Sequence, residues 1–409
     1  MSERGRTRAF LVMEVMREAL AKDPKETIHL EVGQPSSPAP RKVREAASAA
    51  LQGEEKLGYT EAAGVRELRE KIAGHYKTSY GVEVDAGSVL VTTGSSGAFI
   101  VAFTGAFDHG DRVAMASPGY PCYRNILEAL GVEVVELPVG EETNWQPTRA
   151  MLEEAMKGGK IHGLILASPS NPTGTILRSS EMQDLCSCCS THGIRLISDE
   201  IYHGIIMEGR ADSALQFKKD AVIINSFSKY YSMTGWRLGW IVCQDPQLAQ
   251  SFENLLQNFF ISAPTLSQLA GDPSSLLRLP LTDLLLTRLL LLFLVSSTLF
   301  AGIAAFDCID ELEQHVERYK KNREVLLNGL PKAGFHELSR PQGAFYIYAH
   351  VKHICKDSME LAKKILADCS VAVTPGLDFD LSRGGEFIRF SFAGATQDME
   401  RACEKLQRW

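Results

Sequence analysis

The sequence has no excess of positive charge. Its 43 lysine and arginine residues are outnumbered by 50 aspartate and glutamate residues, so the formal net charge at pH 7 is −7 and the pI is near 5.9. Proteins that bind nucleic acid or anionic membranes through bulk electrostatics carry the opposite balance. We therefore predict neither a nucleic-acid partner nor a membrane partner.

The sequence also lacks a disulfide framework. Its nine cysteines are an odd number without paired spacing, which fits a reducing compartment. Cys186, Cys188 and Cys189 cluster with His192 on one predicted helix. Closed metal sites usually draw their ligands from separated elements, so ordinary thiols of the core or helix surface are the favoured interpretation and we predict no metal site.

No clear targeting segment is present. Arginines at positions 4, 6 and 8 give a weak resemblance to a transit peptide, but Glu14 and Glu18 interrupt the pattern and no cleavage site follows. We expect residues 8–21 to form an amphipathic helix that belongs to the fold. The default compartment is the cytoplasm.

The chain is long enough for two domains, and its apolar runs indicate an α/β protein. It has 409 residues, and short β-branched runs alternate with helical patterns. The predicted strands are residues 89–92, 113–116, 161–167, 194–198, 221–224 and 238–242. In an open α/β sheet, ligands bind beyond the carboxyl ends of the strands, so the loops that follow these runs are the first places to look for a site.

The most informative loop lies within residues 221–240, AVIINSFSKYYSMTGWRLGW. Lys229 follows a buried strand among small hydroxyl residues, and Arg237 comes eight positions later. A lysine in such a place can form a Schiff base with an aldehyde, and an arginine beside Ser226 and Ser228 can hold a phosphate. Considered alone, Lys229 would more often be an ordinary surface charge.

Other strand ends carry polar loops that have both ordinary and functional interpretations. Residues 94–97, Gly-Ser-Ser-Gly, form either a tight turn or an anion site at a helix start. Asp199 either caps the next helix or serves a site. Tyr120 and Asn171 lie in proline-containing loops, and Arg389 alternates with apolar residues in a strand, where a rim arginine is the plain alternative.

The pattern S-F-S-K-x-x-x-M-T-G-W-R-x-G at residues 226–239 resembles the lysine signature of class I/II aminotransferases that use pyridoxal 5'-phosphate (PLP). The order Asn171, Asp199, Tyr202, Lys229, Arg237 is similar to the family order. The resemblance covers nearly the whole chain. It implies PLP-transferase fold type I, with a mostly parallel seven-stranded sheet in a large domain at residues 41–310. A smaller α/β domain would comprise residues 1–40 and 311–409.

The resemblance also implies roles for individual residues. Lys229 would hold the cofactor and move the proton at the substrate Cα, and Asp199 would pair with the ring nitrogen. Tyr202 and Asn171 would contact the phenolic oxygen, and Tyr120 would lie over the ring. The residues implied for the phosphate are Ser95, Ser96, Gly97, Ser226, Ser228, Arg237 and Tyr59 of the neighbouring subunit. Those implied for the substrate are Gly33, Asn171 and Arg389, the last as a clamp for the α-carboxylate.

The implied activity is transfer of an amino group from an L-amino acid to a 2-oxo acid, in amino-acid metabolism, by a homodimer with a shared active site. A C–S β-lyase or a decarboxylase of the same fold would keep the same cofactor contacts. A catalytically dead or misfolded chain of this fold is a further alternative. No residue can be assigned to a second substrate carboxylate, so acidic, aromatic and aliphatic donors all stay open.

Residues 272–302 depart from the family pattern. Leucine makes up 13 of these 31 residues, and residues 289–306 carry no charge over 18 positions, the length of a transmembrane candidate. A single span would separate Lys229 from Arg389, which must meet one substrate. We favour a foreign segment, such as a retained intron or a gene-model error, over a tolerated insertion or a membrane span.

We expect peptide mapping of the native protein to recover no peptide from residues 289–300. Mass spectrometry after cleavage with two proteases of different specificity makes this check, with peptides from residues 221–240 as the internal control. Recovery of the leucine-rich peptide would contradict the foreign-segment hypothesis. In that case the exposed leucines would predict aggregation of the purified protein.

Overall fold

A computed structural model describes residues 2, 5–22, 25–53, 56–269 and 301–409. Except for its last two residues, the leucine-rich segment predicted at 272–302 lies outside the described residues. The chain divides into two compact units. Unit 1 comprises Met1–Ser36, Ala102–Ile223 and Gln314–Trp409, and unit 2 comprises Ser37–Val101 and Ile224–Glu313.

Helices and strands alternate through most of the described chain. The helices are α1 (Leu11–Leu20), α2 (Arg41–Gln52), α3 (Arg66–Tyr80), α4 (Gly94–Ala106), α5 (Pro121–Leu130), α6 (Arg149–Met156), α7 (Ser179–His192), α8 (Pro246–Phe259), α9 (Thr265–Leu269), α10 (Ala301–Ala305), α11 (Ile309–Gly329), α12 (Ser358–Cys369) and α13 (Thr396–Arg408). The strands are β1 (Ile28–His29), β2 (Val89–Thr92), β3 (Arg112–Ser117), β4 (Glu133–Pro138), β5 (Gly163–Ala167), β6 (Arg195–Asp199), β7 (Val222–Ser226), β8 (Gly239–Val242), β9 (Glu337–Leu338), β10 (Tyr346–His350), β11 (Val371–Ala372), β12 (Thr374–Pro375) and β13 (Phe387–Ser391).

The main sheet has seven strands in the order β2-β8-β7-β6-β5-β3-β4. The pairs β3–β4, β3–β5 and β5–β6 are parallel, whereas β2 and β8 pair antiparallel. Strands β2, β7 and β8 are buried at every position, as expected for a sheet covered on both faces. The predicted mostly parallel seven-stranded sheet is therefore confirmed.

Two smaller sheets belong to unit 1. Strands β12, β13, β10 and β9 form an antiparallel sheet in that order, in which Arg389 of β13 lies opposite Tyr348 of β10 and opposite Thr374 of β12. Strand β1 pairs parallel with β11, so that Ile28 lies opposite Val371. The second pairing brings the amino-terminal segment beside the carboxy-terminal one.

Local sequence signals explain where several helices begin and end. Helix α5 begins with Pro121 and is followed by Gly131 in the left-handed conformation, and Asp245 caps α8 by accepting hydrogen bonds from two backbone N–H groups. Helix α4 begins at Gly94, so the Gly-Ser-Ser-Gly residues form its first turn. The φ of +73° at Gly94 lets the chain turn at once from strand to helix.

None of the helices among the described residues combines the length and the apolar character that a membrane span requires. The cysteine cluster on α7 is part of the core, because Cys186, Cys188 and Cys189 are all buried. Burial raises the pKa of the Cys186 and Cys189 thiols to about 12, so both are neutral at pH 7.

Candidate active site

Three loops of unit 1 follow the carboxyl ends of neighbouring parallel strands. Ala167 of β5 is opposite Asp199 of β6, and Met115 of β3 is opposite Ile165 of β5. This register aligns the ends of the three strands, so the loops that carry Tyr120, Asn171 and Asp199 emerge at one edge of the sheet. Tyr120 and Asn171 also line one small cavity, next to Pro118.

The carboxylate of Asp199 is buried and held in a fixed orientation. Only 4% of the residue is exposed, and one carboxylate oxygen accepts a hydrogen bond from the Ile201 N–H at 3.0 Å. The other oxygen accepts a hydrogen bond from the Tyr123 hydroxyl, which α5 supplies. A buried carboxylate aimed in this way can bind a cationic N–H group.

Tyr202 makes a hydrogen bond with a second phenol. Its hydroxyl oxygen lies 2.7 Å from that of Tyr346, and 5% and 1% of the two residues are exposed. Burial raises the pKa of both tyrosines, so both hydroxyls keep their protons at neutral pH. We refer to Tyr202 and Tyr346 as the phenol pair.

Arg389 of β13 is a buried cation held by neutral groups. Its Nη1 donates to Asn171 Oδ1 at 2.8 Å, and its Nη2 donates to the Glu31 carbonyl oxygen at 2.5 Å and to the Thr374 hydroxyl at 3.1 Å. Only 4% of Arg389 is exposed. Arg389 alternates with Ile388 and Phe390 along β13, as the sequence indicates, but its burial excludes the alternative of a rim arginine.

Among the described residues, no carboxylate forms a salt bridge with Arg389, and its Nε has no hydrogen-bond partner. The carboxylate of Asp378 interacts with it electrostatically, but that carboxylate accepts its hydrogen bonds from the first two backbone N–H groups of α1. The rings of Tyr346 and Phe379 lie 4.3 and 4.8 Å from its Cζ. A buried charge without a hydrogen-bonded ion-pair partner is costly, because its desolvation is only partly compensated. The arrangement therefore points to an anionic ligand, and a planar carboxylate matches the guanidinium best.

In unit 2, Lys229 follows β7 by three residues and is half-buried. The two serines before it are buried, and the Ser226 hydroxyl accepts a hydrogen bond from the Ser228 N–H at 3.1 Å. The Lys229 carbonyl oxygen accepts a hydrogen bond from Ser232 N–H at 3.2 Å, which closes a tight turn. This turn holds the lysine at the strand end, where the sequence predicts it.

The amino terminus of α4 forms a second group of donors in unit 2. Ser95, Ser96 and Gly97 lie in the first turn of α4, where no helix carbonyl lies four residues earlier to accept from their N–H groups. The helix dipole is positive at this end. A Cβ built on Gly94 would lie 2.5 Å from Arg237 Nη2, so the absent side chain is what admits the guanidinium. Arg237 is exposed, and its Nη1 donates to the Thr234 carbonyl oxygen at 2.9 Å.

The two remaining predicted residues have contrasting environments. Tyr59, in unit 2, is 83% exposed, which is unusual for a large aromatic side chain. Gly33, in unit 1, lies so close to Tyr346 that a Cβ at this position would overlap the phenol hydroxyl.

Comparison with known proteins decides the family. The family model described as aminotransferase class I and II matches residues 25–271 and 288–406. The chain belongs to this family. The second matched range begins inside the leucine-rich segment.

Individual relatives match this aminotransferase over nearly the full length of both chains. It is 43% identical to a valine–pyruvate aminotransferase of Mycobacterium tuberculosis over 98% of this chain and 96% of the relative. Its structure is similar to that of an aminotransferase from Mycobacterium tuberculosis, with a TM-score of 0.88, 43% identity and coverage of 100% and 98% of the two chains. It is also similar to aspartate aminotransferase from Thermus thermophilus with maleate, with a TM-score of 0.85, 27% identity and coverage of 100% and 99%.

The structure adds residues of this aminotransferase that sequence reasoning does not identify. Tyr123 supports Asp199, and its position three residues after Tyr120 on a helix is a signal that could have found it. Glu200, next to Asp199, is fully buried, and burial raises its pKa to about 8 although Ser213 and Ala214 donate hydrogen bonds to it. Burial therefore favours the neutral form of Glu200, which limits the negative charge beside Asp199.

The lack of a salt-bridge partner for Arg389 among the described residues leads to a prediction about the cofactor-free protein. We expect pyruvate at 100 times its Kd to stabilise the protein by about 2.7 kcal/mol, because a carboxylate binds the folded state only. Thermal unfolding at constant ionic strength measures this effect. Arg389→Leu should lose the stabilisation, whereas Arg340→Leu, which alters an exposed arginine, should keep it. Equal stabilisation of wild type and Arg389→Leu would contradict the prediction.

Proposed function

We propose that this aminotransferase moves an amino group between an L-amino acid and a 2-oxo acid, and that Lys229 is the residue that holds its PLP covalently. The observation that carries the assignment is the setting of Lys229. It is half-buried, it lies three residues beyond the end of β7, and it follows two buried serines. A lysine amine in such a restricted place is suited to covalent bonding with an aldehyde.

The donor groups of unit 2 fit a phosphate. The first turn of α4 offers the N–H groups of Ser95, Ser96 and Gly97, and the guanidinium of Arg237 packs against Gly94. A helix start and an arginine fork are the usual partners of a phosphate group. We propose that these residues, with Ser226 and Ser228, hold the phosphate of the cofactor.

The acceptor and ring groups of unit 1 fit the pyridine ring. Asp199 would accept a hydrogen bond from the protonated ring nitrogen, and Tyr120 would lie over the ring face. Tyr202 and Asn171 would donate hydrogen bonds to the phenolic oxygen. When bound, the cofactor supplies an electron-withdrawing ring and the carbonyl carbon that takes up the amino group.

Arg389 would bind the substrate α-carboxylate, beside the loop of Gly33 and with Asn171 as its hydrogen-bond partner. This contact orients the substrate so that its Cα–H bond is the one that breaks. The Nζ atom of Lys229, once displaced by the substrate amine, would accept the Cα proton and later return it. The similarity to a valine–pyruvate aminotransferase supports L-valine and pyruvate as the first substrate pair to test.

We expect the loaded wild-type protein to show a visible absorption band that Lys229→Ala lacks, because only a lysine amine bonds the cofactor covalently. The matched control is Lys77→Ala, which removes an exposed lysine and should keep the band. L-valine with pyruvate should yield L-alanine. A wild-type protein without the band, or a band that persists in Lys229→Ala, would contradict the assignment. Release of ammonia and pyruvate without a 2-oxo acid acceptor would identify the lyase alternative instead.

We further propose a homodimer in which Tyr59 of each subunit completes the phosphate site of the other. Tyr59 is 83% exposed, and Phe259 and Ile261 of the same unit are 49% and 51% exposed. The loop of Tyr59 is tied to α9, because the Gly58 carbonyl oxygen accepts a hydrogen bond from the Thr265 hydroxyl at 2.5 Å. Large exposed apolar side chains on one unit are typical of a subunit contact.

A mixture of two defective chains tests the shared site. Lys229→Ala and Tyr59→Ala chains, co-expressed with different tags, should form heterodimers with one intact site, because one chain then supplies the lysine and the other the tyrosine. The heterodimer should bind cofactor at one site as tightly as wild type does, by titration of the visible band. Heterodimers with only weak sites would contradict a shared site, and a monomer in sedimentation would contradict the dimer.

The free state of the cysteines is the basis on which we propose a cellular compartment. All nine are free thiols, and eight of them are buried. Free thiols persist in a reducing compartment, and we therefore propose the cytoplasm.

A further inference from the structure

Tyr346 touches two groups with separate proposed roles. It lies on β10, and its hydroxyl makes the 2.7 Å hydrogen bond of the phenol pair. Because Tyr348 is opposite Arg389 and residues two apart share a face of a strand, Tyr346 lies on the same sheet face as the arginine. Its ring centroid lies 4.3 Å from Arg389 Cζ, within the range of a cation–π contact.

The close approach of Gly33 indicates that the Tyr346 hydroxyl has a fixed position. A Cβ on Gly33 would overlap this hydroxyl and would come within 2.6 Å of ring atom Cζ. Such distances are far below van der Waals contact, so only glycine fits against the phenol. Tyr346 is therefore in close contact with Gly33, Tyr202 and Arg389, which together hold its hydroxyl oxygen in place.

The number of protons on the two hydroxyls of the phenol pair limits which of them can donate the hydrogen bond between them. Each hydroxyl has one proton to donate and can accept further hydrogen bonds. If Tyr346 donates to Tyr202, the proton of Tyr202 is available to another acceptor in the site. The charged and titratable groups that act on Tyr346 are Arg389, Tyr202 and Asp199, and the charge of Arg389 partly offsets the rise in the Tyr346 pKa that burial causes. Arg389 acts on both hydroxyls in the same way and does not decide between them. The single proton of Tyr202 is committed to the cofactor oxygen in the proposed function, so Tyr346 is the donor of the pair in the loaded enzyme.

We propose that Tyr346 is a positioning residue that couples the substrate-carboxylate site at Arg389 to the cofactor-oxygen site at Tyr202. Its ring supports the guanidinium, and its hydroxyl donates to Tyr202 and so directs the Tyr202 proton to the phenolic oxygen of the cofactor. The inference rests on the proposed function, because it uses the roles assigned there to Tyr202 and Arg389. Hydrogen bonds in such a chain strengthen one another, so Tyr346 makes Tyr202 a better donor.

The variant Tyr346→Phe removes the hydroxyl and keeps the ring, so it tests the two contacts separately. We expect the pH midpoint of the visible band of the loaded enzyme to rise by roughly half a unit, because the ionised phenolic oxygen loses part of its hydrogen-bond support. We expect kcat to fall roughly threefold to tenfold, the usual worth of one neutral hydrogen bond. KM for the amino donor should stay within about twofold, since the ring beneath Arg389 is kept.

The matched control is Tyr348→Phe. This change removes a hydroxyl from the same face of the same strand, and among the described residues the Tyr348 hydroxyl has no hydrogen-bond partner. The Tyr348 ring stays stacked on Phe387, with centroids 4.7 Å apart. We expect its band midpoint and its kcat to match those of wild type.

A double-variant cycle shows whether Tyr346 acts through Tyr202. If it does, Tyr346→Phe should shift the midpoint in wild type but leave it unchanged in Tyr202→Phe. An equal shift in both backgrounds, or an unshifted midpoint in Tyr346→Phe, would overturn the coupling while leaving the proposed function in place. A wild-type protein without any visible band would overturn the proposed function, and the coupling with it.

Discussion

A buried guanidinium that is hydrogen-bonded only to neutral groups is the constraint on which much of unit 1 depends. Arg389 lies in the interior of the unit, and only neutral oxygens of Asn171, Thr374 and Glu31 hold it. Those groups come from a loop after β5, from β12 and from the segment after β1. All three segments must be in place before the buried cation has its full set of hydrogen bonds. The site for an anion is thus also a point where distant parts of the chain are held together.

The register of the parallel strands holds other polar groups of unit 1 in place. Pairing of Ala167 with Asp199 aligns two strand ends, and the turn after each strand then presents a polar side chain at the same edge. Tyr123 of α5 and the Ile201 N–H each donate to one oxygen of the Asp199 carboxylate, so a helix and the loop of Asp199 together set its direction. Rigid elements therefore orient the groups that the family assigns to chemistry.

Much of this organisation can be predicted from the sequence, because buried strands require β-branched runs and polar residues collect where those strands end. The strand before Lys229, the strand before Asp199 and the alternation around Arg389 are all visible in the letters alone. The phenol pair is not, since Tyr202 and Tyr346 are 144 positions apart and their contact depends on side-chain rotamers. Gly33 is predicted from the family as a close approach to substrate, but its need to be glycine becomes clear only with Tyr346 in place.

The hydrogen bond between Arg389 and the Glu31 carbonyl joins residues 358 positions apart. A ribosome therefore completes the lysine turn at Lys229 long before it makes the strand that carries the arginine. Contacts of such long range form slowly, because the ends of a long loop must first meet. A nascent chain would hold its proposed covalent anchor well before it could recognise a carboxylate. The order of synthesis thus places the proposed carboxylate site after the proposed covalent anchor.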